Sequence, residues 1–165
     1  MRRTCLIAGL AVVAGLGGAG TAAAEERTCR GTIGAVTVDN LRVPQGATCT
    51  LRGTRVQGTV KVERNATLRA RGIRVVGNVQ AENHRNVVVR EGSTVGGSVQ
   101  LVQGGTATLD ANRVTGDIQL FANRGRQSVT DNRVNGNLQC KENVPAPTGG
   151  GNVVQGNKED QCRRL

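Results

Sequence analysis

A phrase of the form Val-x-Gly-polar-apolar-Gln recurs six times: Val56–Lys61, Val75–Gln80, Val95–Gln100, Val114–Gln119, Val134–Gln139 and a degraded Val154–Lys158. Its glycines, Gly58, Gly77, Gly97, Gly116, Gly136 and Gly156, are 19, 20, 19, 20 and 20 residues apart. A fixed period of this length is the signature of stacked units, none of which can bury its apolar face alone.

Counting from each glycine, position −2 is always Val. Position +2 is Val60, Val79, Val99, Ile118 or Leu138, and +4 is Val62, Ala81, Leu101, Leu120 or Cys140. Apolar residues alternating with polar ones predict half-buried strands on both sides of the glycine. The glycine predicts a bend, where a side chain would not fit or φ must be positive. A second apolar cluster follows (Ala66, Leu68 and Ala70; Val87 and Val89; Ala107 and Leu109; Val129), then a further turn at Gly53, Gly72, Gly92 or Gly151. Each coil therefore holds two or three short strands. No 12-residue stretch after the first 24 residues shows helical periodicity.

The predicted fold is all-β, a single-stranded parallel β-helix of about 20 residues per coil. A left-handed helix of hexapeptides needs a stricter six-residue beat, and a right-handed coil suits this irregular one better. An antiparallel sandwich would not repeat the same residues in the same columns. Two columns stand out. Asn112, Asn132 and Asn152 share position −4. Gln80, Gln100, Gln119 and Gln139 share +3, with Lys61 at the first rung. Stacked amides can pass hydrogen bonds along an axis.

The ends break the pattern. Residues 1–24 read as an export signal: Arg2 and Arg3, an uncharged apolar run from Leu6 to Ala19, then Ala22-Ala23-Ala24 before Glu25. Residues 25–52 read as an N-terminal cap, 53–157 as coils and 158–165 as a C-terminal cap. Ile33-Gly34-Ala35-Val36 resembles the phrase but lies 24 residues before Gly58. Lys158-Glu159-Asp160 puts charge where the coils are apolar. Without Cys5 of the signal, Cys29, Cys49, Cys140 and Cys162 remain. An even count in an exported chain predicts disulfides. The expected pairs are Cys29–Cys49, one period apart, and Cys140–Cys162, with one bridge near each end. Neither a CxxC nor a second His supports a metal site. The chain is thus expected to be secreted, extracellular or in the cell envelope.

Removing Arg2 and Arg3 from the 22 basic residues leaves 20 against 12 acidic, a net charge of +8, and only Lys61, Lys141 and Lys158 are lysines. An arginine-rich surface predicts either an anionic partner or simple solubility. One Phe and no Tyr or Trp argue against stacking on sugars or bases. The sharpest candidate site is a column at position −3: Arg55, Arg74, Arg113 and Arg133, interrupted by Thr94. Like charges one rung apart are unfavourable unless an anion or a carboxylate offsets them. With the flanking Arg69, Arg71 and Arg90, the column is read as a polyanion-binding edge. The alternative is solvated side chains partly paired with Glu82, Glu91 or Asp131. Positions −1, +1 and +3 are read as a flat, amide-rich face, suited to a sugar polymer, a flat lattice or plain solvent. His84, the only histidine, reads as a turn residue. No GxSxG, HExxH, P-loop or GGxGxD occurs, so neither catalytic residues nor a cofactor is expected.

The Gly-x-Val and Val-x-Gly phrases between Gly53 and Gly156 resemble the bactofilins, polymer-forming bacterial cytoskeletal proteins. That resemblance implies a right-handed β-helix joined end to end. The export signal, terminal cysteines and polar caps depart from it. The stretch from Cys140 to Cys162 resembles the ending of small secreted proteins of high-GC bacteria, which implies no activity. The expectation is a secreted, non-enzymatic protein binding an anionic polymer or envelope component. Self-assembly and β-helix polysaccharide lyase or hydrolase activity are the alternatives.

Overall fold

The computed structural model describes residues 25–165; the export signal expected over residues 1–24 lies outside them. The chain winds into about seven coils with three short parallel strands each, and no helix occurs among the described residues. Sheet A stacks Glu26–Thr28, Asn40–Val43, Val60–Val62, Val79–Glu82, Val99–Val102, Ile118–Phe121, Leu138–Lys141 and Lys158–Asp160. Sheet B stacks Thr32–Ile33, Thr48–Arg52, Thr67–Arg71, Asn86–Arg90, Thr106–Asp110, Gln127–Thr130 and Thr148–Gly150. Sheet C stacks Thr37–Val38, Arg55–Val56, Arg74–Val75, Thr94–Val95, Arg113–Val114, Arg133–Val134 and Val153–Val154. The strands from residues 26–52 pair into the same three sheets as the later coils. The β-solenoid expected from the repeat is therefore present.

Each strand's inward residues form columns. Sheet A buries Leu41, Val60, Val79, Val99, Ile118 and Leu138 in one of them, sheet B Leu51, Ala70, Val89, Leu109 and Val129, and sheet C Val38, Val56, Val75, Val95, Val114 and Val134. Small and medium aliphatic side chains suffice because three sheets converge on a narrow interior. Gln127 is the exception. It stands beside Ala107 at an inward position of sheet B, and its Nε2 donates to the carbonyls of Gly105 and Gly125.

The corners explain the remaining sequence pattern. At the C-to-A corner, Asn40, Thr59, Asn78, Ser98, Asp117 and Asn137 each accept a backbone N–H from the following coil. The phrase glycine lies against that accepting oxygen, and a Cβ there would overlap it in nearly every coil. The phrase glycines are absent from the positive-φ positions, so space and not φ demands them. Left-handed residues sit at the other two corners instead: Asn65, Asn83, Gln103, Ala122 and Glu142 after sheet A, and Gly53, Gly72, Glu91, Gly92, Ala111, Asp131 and Gly151 after sheet B. At the B-to-C corner, Asn132 Oδ1 accepts from Asn112, Asn152 Oδ1 accepts from Asn132, and each Nδ2 also donates to a strand carbonyl. At the A-to-B corner, Asn123, Asn143 and Gln161 form a third ladder. Such side chains satisfy corner N–H groups that would otherwise be buried without a partner.

Two disulfides tie the ends, Cys29–Cys49 with Cα atoms 5.5 Å apart and Cys140–Cys162 with Cα atoms 5.2 Å apart. Leu165 packs under the last coil, 8 % exposed. The first copy of the phrase differs from expectation. Val38 pairs with Val56, so Val38-Asp39-Asn40-Leu41 takes the place of the phrase, and Ile33 pairs with Leu51 in sheet B. The likeness of Ile33-Gly34-Ala35-Val36 to the phrase therefore pointed to the wrong residues, whereas Val38 lies 18 residues before Val56, near the period.

Candidate polyanion-binding edge

The position −3 column is in register. Arg55 pairs with Arg74, Arg74 with Thr94, Thr94 with Arg113 and Arg113 with Arg133 along sheet C. The strands alternate, so the valine beside each arginine enters the core and the guanidinium faces out. All four arginines are exposed. Among the described residues, none has a carboxylate within ion-pair distance. None of the four arginines is thus held in an ion pair within the described residues.

A second arginine column runs along the other flank of the same corner. Arg52 pairs with Arg71 and Arg71 with Arg90 at the outer end of sheet B, while Asp110 and Thr130 continue the column in later coils. Arg69, two residues before Arg71, faces outward beside it. Arg52 was not singled out in the sequence, although its 19-residue distance from Arg71 was a usable signal. Glu91 bridges this column, with Oε1 3.2 Å from Arg71 Nη1 and 3.3 Å from Arg90 Nε. It therefore partners the sheet B arginines and none of those in the position −3 column.

The flat amide face does not form. Position +1 turns into the corner ladder, position −1 stays on the corner, and only +3 stands on the outer face of sheet A. There Gln80, Gln100 and Gln119 each donate Nε2 to the next Gln Oε1 at 2.8–2.9 Å, and Gln139 donates to Glu159 Oε2 at 2.9 Å. Lys61, in register with Gln80, stands at the carbonyl end of this chain of amides. A cation at one end and a carboxylate at the other orient every amide the same way, and aligned hydrogen bonds polarise one another. An open groove of about 550 Å³ lies over Lys61, Gln80 and Gln100, rimmed by Glu63, Arg64 and Glu82. Glu63 is held below the usual carboxylate range, first by the N–H of Gln45 and then by Arg42.

His84 stands in the same corner column as Asn123, with Gly104 between them, and is 2 % exposed. Its ring fills the space beside Gly104 where any side chain would collide with it. Neither ring nitrogen makes a hydrogen bond. Burial pushes its pKa down to about 4, and the nearby Ala81 carbonyl offsets only part of that. The ring is a buried corner filler, in keeping with a turn residue. Among the described residues, no three His, Cys, Asp or Glu side chains group as metal ligands would, and no helix is long and apolar enough to cross a membrane. No protein family, curated protein or solved structure matches this chain, so the likeness to bactofilins gains no support beyond the shared solenoid form.

Proposed function

We propose that this is a secreted, non-enzymatic β-solenoid that binds an anionic polymer at or near the cell surface along its B-to-C corner. The observation that carries the reading is the in-register, unpaired stacking of Arg55 on Arg74 and of Arg113 on Arg133. Successive rungs lie about 4.8 Å apart, so each stack concentrates like charge that a bound anion would neutralise. Guanidinium groups suit carboxylate, sulfate and phosphate through paired N–H donors. The two disulfides fit an oxidising compartment. The test is retention of the oxidised protein, residues 25–165, on anionic and neutral polymers at low and high salt, alongside an assay for released uronide ends. Salt-sensitive retention without release is expected. The variant with Arg55, Arg74, Arg113 and Arg133 all changed to Gln should lose retention and keep its fold. Retention that survives in this variant overturns the site.

A further inference from the structure

The positive charge along the corner is uneven. In coils two to four, Arg52, Arg55, Arg69, Arg71, Arg74 and Arg90 straddle it. In coils five and six, Arg113 and Arg133 alternate with Asp110 and Asp131. The first group is a two-sided strip three rungs long, and the second is close to neutral. Within the strip one carboxylate is already seated: Glu91, bridging Arg71 and Arg90. Its backbone is left-handed, φ 61°, a conformation unfavourable for a residue with a Cβ. The neighbouring Gly92 is left-handed as well, and this coil spends one residue more than coil three between its sheet B arginine and its sheet C strand.

We propose that Arg52, Arg55, Arg71, Arg74 and Arg90 form the anion seat, that it takes the carboxylates of an extended polyuronate chain, and that Glu91 occupies it in the free protein. This rests on the polyanion reading above and narrows it. Glu91 shows that a carboxylate fits between adjacent rungs. An extended two-fold uronate polymer turns successive carboxylates to opposite sides, so they reach the two flanks of the strip in turn, and same-side carboxylates recur every second sugar, close to two rungs. Duplex DNA presents a charge every 3.4 Å along each strand, and an extended acidic peptide places same-side carboxylates roughly 6.8 Å apart. Both fall out of step with a rung of about 4.8 Å. Glu91 and its partners are about half exposed, so their mutual attraction is weak and an incoming polymer can displace it.

The test measures affinity of the oxidised protein for immobilised polygalacturonate, with duplex DNA and polyglutamate as comparison probes. Arg52→Gln/Arg71→Gln/Arg74→Gln should weaken polygalacturonate binding by about tenfold or more. Arg113→Gln/Arg133→Gln should stay within about twofold, and Glu91→Gln should bind about two- to fivefold tighter. Equal losses from the triple and double variants overturn the compact seat while leaving a corner-long polyanion site standing. Unchanged or weaker binding by Glu91→Gln overturns the role of Glu91. Tighter binding to DNA or polyglutamate than to polygalacturonate overturns the ligand class. No binding of the parent protein to any of the three overturns the polyanion reading itself.

Discussion

Asn78 Oδ1 accepts the backbone N–H of Ser98 at 2.8 Å and fills the space that a side chain on Gly97 would need. The polar residue of one coil and the glycine of the next are therefore a single device. The first caps the corner, and the second makes room for the cap. Gly97→Ala should destabilise the protein by about 2–3 kcal/mol, as overpacking does. Gly31, with nothing near its would-be Cβ, should accept Ala within about 0.5 kcal/mol. Urea unfolding of the two variants measures the difference, and equal costs would remove the steric account.

Inner and outer ladders should differ in energetic weight. Asn132 is buried, accepts from Asn112 and donates to the Leu109 carbonyl. Asn132→Ala strands buried partners and should cost about 2–3 kcal/mol. Gln100 holds the same kind of amide contacts where water can replace them. Gln100→Ala should cost under about 1 kcal/mol. Chemical denaturation of both variants checks the ordering.

His84 makes stability depend on pH. Above its ordinary pKa of 6.5 the ring is neutral in both the folded and unfolded chain. Between 6.5 and the folded value of about 4 only the unfolded chain takes up the proton. Stability therefore falls as pH drops through this window, by about 3 kcal/mol in total for a shift of this size. His84→Asn, which places in this corner column the amide found at Asn123 and Asn143, should remove that component. Thermal melts across pH 4–7 would show it, and an identical slope in the variant would refute the assignment.

The end rungs carry charge in a core column. Arg27 pairs with Leu41 and Lys158 pairs with Leu138, so each end places a cation where the inner rungs are apolar. Edge strands blunted in this way resist pairing with another copy. The oxidised protein should be a monomer by light scattering. Arg27→Val/Lys158→Val should associate as its concentration rises. An associating parent protein would show that the end charges do not block stacking.

The solenoid, its coil length and its valine and leucine columns were legible because stacking forces the same residue type into the same column every 19 or 20 positions. The cysteine pairs followed from that period and from their place near the two ends. The position −3 arginines could also be put on one line, since alternation fixes which side of a strand faces out. Other features depend on contacts between coils. The glycine's purpose is set by an oxygen about one coil earlier in the chain, and the flat amide face dissolved because position +1 turns into a corner. Glu91 bridges Arg71 and Arg90 and leaves the position −3 arginines without a carboxylate partner, a division that the sequence left open. Periodicity determines which residues share a column. Only the folded corners decide which columns lie on one surface, because a bend of a few residues turns neighbours in sequence onto different faces.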